Sequence, residues 1–462
     1  MSALALILHK QGAVISGSDA EQNTKTDELV ALGIRVFVGH NAKNITADLD
    51  QVIVNGAIGE DNPELKKARE LGIRVTGREE LLAVVSREYQ TLIAVSGAHG
   101  KSTTTAMIGT ILLEAGLQPT IHNGASALNC QALHFARSGF GSATGTSVDN
   151  LVLGEDKYFV TEACEFRRSF LSLDPTVAVV TNIDADHLDT YKDIEEIKSV
   201  YQEFANKAKT VIKNADCINS GGLTGQKVIT FGIENAADVR AVNIVEYERG
   251  KFWFSARVTL PYHKPFRVDL AIYGRHNIYN ALAAVAVAVY LGVNRVVIPS
   301  ALETFCGISR RFEFIKEYRG TTIISDYAHH PNEVITTIAT AKSIFGTGRP
   351  NTGTIPWTVR KTGGRNRGFL LVFQPHTYTR TLKLFNEFVS VLHDVDCVLY
   401  RTYSAREKER HGGRAEDLAA AIGKPCFSTE AELKEYILNN LEKYDAIIFT
   451  GAGDIDAISR AF

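Results

Sequence analysis

No window of the sequence comes near the ~18 consecutive apolar residues that a membrane-spanning helix needs. No C-x-x-C pair occurs among its six cysteines, at 130, 164, 217, 306, 397 and 426. That scatter makes a zinc site unexpected and implies a reduced, cytoplasmic setting. A large charge of either sign is missing too. The formal net charge of −2 at pH 7 argues against a general nucleic-acid or membrane-surface binder. The opening MSALALILHKQGAVISGSD has neither a basic n-region nor a small-residue cleavage site. It reads as a buried helix leading into a strand, not as a secretory signal.

What is present is the composition of a globular protein, with 45% hydrophobic and 22% charged residues. At 462 residues the chain is too long for one ordinary core, and about two to four domains are expected. Strands alternating with helical runs point to parallel α/β sheets. In the first segment, 1–86, AVIS, RVFVG, QVIVNGA and RVTG read as strands, with SGSD (16–19) as a turn. The second segment, 87–308, opens on a strand, a glycine turn and a long helix. The third, 309–462, returns to α/β alternation. It carries an insertion, 346–368, rich in Gly, Pro, Thr and Arg, which reads as a long exposed loop.

The stretch AVSGAHGKSTTTA (94–106) poses a spacing problem. A standard phosphate loop, G-x-x-x-x-G-K-[ST], would put its first glycine at Val95. The nearest upstream glycine is Gly97, three residues before Gly100. Strand, turn and helix nevertheless follow in the order that an anion cradle needs. In that reading Lys101 meets the outer phosphates and the Ser102 hydroxyl ligates magnesium. The bland alternative is a capped helix with a surface lysine. Glu162 closes the strand KYFVTE, and Asp184, Asp186, His187 and Asp189 follow TVAVVTNI. Acidic groups at the carboxyl ends of parallel strands are where a hard cation would be held.

Together SGAHGKSTTT, EACE, TNIDADHLD, GRHNIYNALAA, GISRRFEF, DYAHHPNE, FQPHTYTRT and GAGDI resemble the Mur ligase family, in family order over nearly the whole chain. The family's phosphate loop is the short form, G-[TS]-x-G-K-[TS], which accounts for the spacing. The resemblance implies an α/β fold of three domains. These are a Rossmann-like UDP-binding domain, a central P-loop ATPase domain and a C-terminal Rossmann-like domain that binds the amino acid. It implies an ATP- and magnesium-dependent ligase of peptidoglycan synthesis. RRFEF, DYAHHPNE and FQPHTYTRT resemble the branch that adds L-alanine to UDP-N-acetylmuramate. The tripeptide-recycling branch is the nearest neighbour, and a catalytically silent Mur-like binding protein is a third reading.

Site roles follow from the same resemblance. The loop Gly97, Ala98, His99 and Gly100, with Lys101, Ser102 and Thr103, would hold the nucleotide phosphates. Ser102 and Glu162 would ligate a first magnesium, and His187 a second one near the sugar-nucleotide carboxylate. His276, Asn277 and Asn280 would face the nucleotide, and Arg311 the transferring phosphoryl group. Asp326 and Tyr327 would contact ribose and base, with His329 beside them. His376 and Arg380 would take L-alanine and the sugar-nucleotide anion, the guanidinium suiting bidentate recognition. Asp19 and His40 would lie near the uridine. The family's strand and glycine-rich turn, G-x-G-G-x-G-M-S-A, has no counterpart before MSALALIL. A first domain truncated at its amino terminus is therefore expected.

Overall fold

The computed structural model describes residues 1–125, 150–185, 190–259, 264–346, 367–405 and 407–462. His187, Asp186 and Asp189 therefore lie outside the described residues, as does most of the 346–368 insertion. Backbone packing divides the chain into two compact units. The first comprises Met1–Val242, Ser255–Val268 and Tyr279–Phe305; the second comprises Asn243–Phe254, Asp269–Ile278 and Cys306–Phe462.

The first unit begins with helix α1 (Ser2–Lys10), whose Leu4 and Ile7 are buried. They share a hydrophobic cluster with Leu82 and Val85 of helix α4 (Arg78–Ser86). Strand β1 (Ser16–Asp19) runs parallel to β2 (Arg35–Val38), and β3 (Gln51–Val54) runs parallel to β4 (Arg74–Gly77). Each pair is joined through a helix, α2 (Thr24–Ala31) or α3 (Pro63–Glu70). The pairs form separate two-stranded sheets rather than one. SGSD, expected to be a turn, is strand β1. Its ladder partner RVFV overrides a local composition that favours turns.

The larger sheet of this unit has strands β5 (Thr91–Ser96), β6 (Thr120–His122), β7 (Leu151–Val152), β8 (Tyr158–Glu162), β9 (Val177–Val180), β10 (Thr210–Asn214) and β11 (Val228–Gly232). Their spatial order is β11-β10-β9-β5-β8-β6-β7, and strands at Val239–Glu248, Lys251–Val258 and Phe266–Asp269 continue it beyond β11. β5 is central, parallel to both β8 and β9. Continuous apolar runs such as VAVV are buried throughout, as strands covered on both faces must be. Helix α5 (Lys101–Glu114) is buried from Ser102 to Leu112, which explains why its sequence has apolar and small residues all round.

The second unit holds a sheet of Glu313–Tyr318, Thr321–Asp326, Ala446–Thr450, Phe369–Phe373, Cys397–Tyr400 and Cys426–Phe427, in that spatial order. Only the first pair is antiparallel; the others are parallel. Alternate residues enter opposite cores. Ile324, Leu371, Phe373 and Ile448 face one cluster, and Ile323, Leu370, Val372 and Ile447 face the other. That is the period-two signature of a strand buried on both sides.

In the first unit Phe204 is fully buried and stacks on Phe170 at 4.6 Å between ring centroids. Phe204→Ala is expected to destabilise this unit by about 3–5 kcal/mol, the cost of a large buried cavity. Urea unfolding followed by tryptophan-independent circular dichroism measures it.

Candidate active site

Strand β5 ends at Ser96, and the chain turns through Gly97–Gly100 into helix α5. Both glycines have positive φ, 140° at Gly97 and 83° at Gly100. Neither has room for a side chain. A Cβ on Gly97 would meet the Thr181 hydroxyl and the Asn182 backbone, and one on Gly100 would meet the Asn280 carboxamide. These are the conditions under which only glycine serves. The turn is stapled from the segment after β9. The His99 N–H donates to Asn182 Oδ1 at 2.9 Å, while Asn182 Nδ2 and Thr181 Oγ1 donate to His99 O at 3.0 and 2.6 Å.

Lys101, the first residue of α5, folds its ammonium back over this turn. It donates to the carbonyls of Gly97 and Ala98 and to Glu165 Oε1 at 3.1 Å. Burial works against the charge, yet Glu165, with Cys164 and Glu162 beyond it, holds the amine well above the ordinary lysine range. Lys101 is therefore not a surface lysine. Ser102 and Thr103 are buried in the next positions, and Thr104 Oγ1 donates to Asn280 Oδ1 at 3.3 Å.

Beside the loop lies a cavity of about 170 Å³, lined by Arg78, Glu79, His122, Glu162, Cys164 and Ser169 among others. Glu162, at the end of β8, accepts the Gly124 N–H at 2.5 Å. His122 pairs through Nδ1 with Thr161 Oγ1 at 2.9 Å. Burial, aided by Arg78 and the terminal amine, pushes its pKa down to about 3, so the ring is neutral at physiological pH. Asp184, the described member of the second acidic group, pairs with His99 Nε2 at 3.4 Å.

In the second unit a cluster gathers at the carboxyl ends of Thr321–Asp326, Phe369–Phe373 and Ala446–Thr450, where parallel sheets collect ligands. Arg310 donates to the carbonyls of Gly451 and Gly453 at 2.9 and 3.0 Å. The guanidinium groups of Arg310 and Arg311 lie over the Tyr327 ring, and Arg311 pairs with Glu333 at 3.4 Å. Asp326 is buried and accepts from Ala328 N and Thr337 Oγ1. Burial raises its pKa to about 6. His329 and His376 stand 5.5 Å apart, and His376 stacks on Tyr403. Burial, with His329 and the cations Arg380 and Arg310 adding to it, pushes His376 down to about 3. Its neutral Nδ1 sits 3.3 Å from Arg380 Nη1. Between them Thr377 adopts φ 63°, ψ 141°, a costly conformation for a β-branched residue and one that clusters at functional sites.

The remaining expected residues lie elsewhere in the chain. His276 and Asn277 open the helix His276–Tyr290, in which Asn277 donates to Tyr273 O at 2.7 Å. At the end of β1, Asp19 accepts the Gly39 N–H through its backbone at 2.7 Å. His40 meets Ser18 and Glu64, at 3.1 and 3.2 Å.

Comparison with known proteins places this geometry. The Mur ligase family catalytic domain matches residues 1–90, the Mur ligase middle domain residues 95–288, and the Mur ligase glutamate ligase domain residues 310–453. The chain belongs to the Mur ligase family. It is 37% identical to the UDP-N-acetylmuramate–L-alanine ligase of Caldicellulosiruptor saccharolyticus, over 99% of this chain and 94% of that protein. It is 38% identical to the protein of the same name from Lachnospira eligens, over 98% and 94%. Among solved structures, the UDP-N-acetylmuramate-alanine ligase of Thermotoga maritima matches with a TM-score of 0.77 and 27% identity, covering 100% of this chain and 95% of that one.

The matches span 94% of the length of each of the first two relatives. The expected loop residues Gly97 to Thr103 come together with Glu162 and Asn280. His329, His376, Arg380, Arg311, Asp326 and Tyr327 come together in the second unit. Sequence reasoning missed Glu165, Asn182, Arg310 and Glu333. EACE was read for Glu162 and RRFEF for Arg311, although Glu165 holds the Lys101 ammonium and Arg310 holds the carbonyls of Gly451 and Gly453.

Gly100→Ala is expected to fold but to lose at least about tenfold in ATP affinity, because the added Cβ displaces Asn280 and strains the αL turn. Calorimetric titration with a non-hydrolysable ATP analogue checks it, and unchanged affinity would show that the turn has slack.

Proposed function

We propose that this chain is an ATP-dependent ligase that joins L-alanine to the lactyl carboxylate of UDP-N-acetylmuramate, a cytoplasmic step of peptidoglycan precursor synthesis. The observation that carries the reading is the short cradle of Gly97 and Gly100, where a Cβ would collide with its neighbours, with a half-buried lysine at the helix start paired to the buried Glu165. Relatives bearing this activity in their names match nearly the whole chain.

A carboxylate is a poor acyl electrophile. Its oxygen attacks the γ-phosphorus of ATP, ADP leaves, and an acyl phosphate results. The amine of L-alanine then attacks the carbonyl carbon, gives up a proton, and inorganic phosphate departs with its C–O bond. Phosphoryl transfer of this kind is mostly positioning and charge neutralisation. The Lys101 ammonium and the N–H groups at the start of helix α5 are assigned to the outer phosphates, while the Ala98 and His99 N–H groups bind Asn182 and fix the turn. The side chains of Ser102 and Glu162 offer hard oxygen donors, the type that magnesium takes; His187 is assigned to a second magnesium near the sugar-nucleotide carboxylate. When bound, magnesium neutralises phosphate charge.

Asn280, with His276 and Asn277, is assigned to the nucleotide, as are Asp326 and Tyr327. Arg311 is assigned to the transferring phosphoryl group. His376 and Arg380 are assigned to the amino acid. The neutral imidazole of His376 accepts one N–H of Arg380, and a guanidinium fork suits carboxylate recognition. His329 is placed beside them. Asp19 and His40 are assigned to the uridine.

The test is phosphate release by the purified chain with ATP, magnesium and UDP-N-acetylmuramate, comparing L-alanine, glycine, L-serine and L-Ala-γ-D-Glu-diaminopimelate. Release that is fastest with L-alanine and absent without the sugar nucleotide is expected. Release with the tripeptide alone would assign the recycling reaction instead. None with any acceptor, while the sugar nucleotide still binds, would make the chain a binding protein.

A further inference from the structure

Glu64 is the second residue of helix α3, after the Asn62 cap and Pro63. A carboxylate at that position could point into water and still favour the helix dipole. Instead it is 9% exposed. Four donors from two separate segments, β1 and residues 40–44, converge on it. Ser18 Oγ donates to Oε2 at 2.6 Å and Asn44 Nδ2 donates to Oε1 at 2.7 Å. The Asn41 N–H approaches Oε1 at 3.4 Å, and His40 Nδ1 lies 3.2 Å from Oε2. These hydrogen bonds outweigh the cost of burial and hold the carboxyl below its ordinary pKa, so it is an acceptor only.

That fixes the chemistry of the ring. An ionised carboxylate 3.2 Å from Nδ1 requires a proton on Nδ1, so in the neutral imidazole the lone pair falls on Nε2. The His40 side chain is 27% exposed, so a ligand can reach it. The cluster sits at the carboxyl ends of β1 and β2, where parallel strands present ligand contacts.

We propose that Glu64 is a positioning residue for base recognition: by holding His40 in the Nδ1–H form, it makes Nε2 an acceptor for the imide N–H of uracil and so selects uracil over cytosine. The inference rests on the assignment of His40 to the uridine. Cytosine offers a ring lone pair at the corresponding nitrogen, which an acceptor Nε2 cannot engage. A site built around one polarity of hydrogen bond rejects its opposite because buried groups are left unpaired.

The experiment has two readouts. Long-range proton–nitrogen correlation spectra of the whole chain report the His40 tautomer, and calorimetry compares UDP with CDP in the wild type, Glu64→Gln and His40→Ala. The expected results are an Nδ1–H tautomer and UDP preferred over CDP by about tenfold, the worth of one such hydrogen bond. In Glu64→Gln the amide can donate to Nδ1, moving the ring proton to Nε2, and the UDP:CDP ratio is expected to fall towards one with ATP affinity unchanged. A wild-type Nε2–H ring would overturn the proposal. So would a Glu64→Gln variant that weakens UDP and CDP equally, which is what a purely structural staple predicts. If Glu64→Gln does not fold, the wild-type tautomer and ratio still decide. An expected tautomer together with UDP affinity unaltered by His40→Ala would overturn the uridine assignment itself, separately from the role of Glu64 in fixing the ring.

Discussion

The Lys101 ammonium, enclosed by two backbone carbonyls and the Glu165 carboxylate, is the interaction on which the first unit's chemistry depends. A lysine at a helix start would ordinarily extend into solvent. Here the turn brings carbonyl oxygens under it, and only glycine at 97 and 100 lets the turn close that tightly. Glu165 supplies the opposing charge at a buried position. Desolvating such a pair costs several kcal/mol per ion, and the arrangement persists only because each ion has its partner. The lysine is thus held in place by groups that phosphate oxygens can outcompete.

The same economy recurs elsewhere in the chain. In the second unit a neutral His376 receives the Arg380 guanidinium, while Thr377 between them keeps a conformation that suits glycine better. In the first unit Glu64 gathers donors from two segments around His40. Each arrangement lies at the carboxyl ends of parallel strands. In the two larger sheets the strands are buried on both faces, so side chains at their ends inherit fixed positions.

Much of this was legible along the chain. TVAVV, FLLVF and AIIFT are continuous apolar runs, and buried parallel strands need little else. The loop residues from Gly97 to Ser102 could be read because their chemistry is local. Glu165, Asn182 and Glu64 could not, since each acts on a partner far along the chain. Glu165 is 64 residues from Lys101, Asn182 is 83 from His99, and Glu64 is 46 from Ser18. No local pattern encodes such pairs. SGSD misled for the converse reason, because its strand character comes from pairing with residues 35–38. Lys101 itself was open to a reading as a surface residue until its burial was visible.

The central claim is that the half-buried Lys101 ammonium binds nucleotide phosphates and that Glu165 serves as its resting partner. Replacing the lysine alone would strand a buried carboxylate, so the direct measurement compares Glu165→Gln with Lys101→Met/Glu165→Gln, using calorimetric ATP titration with thermal unfolding as the control. The account predicts that Glu165→Gln still binds ATP, whereas the double variant, equally well folded, binds at least about tenfold more weakly, as losing a charge-assisted contact to phosphate requires. Equal ATP affinity in the two folded variants would contradict it.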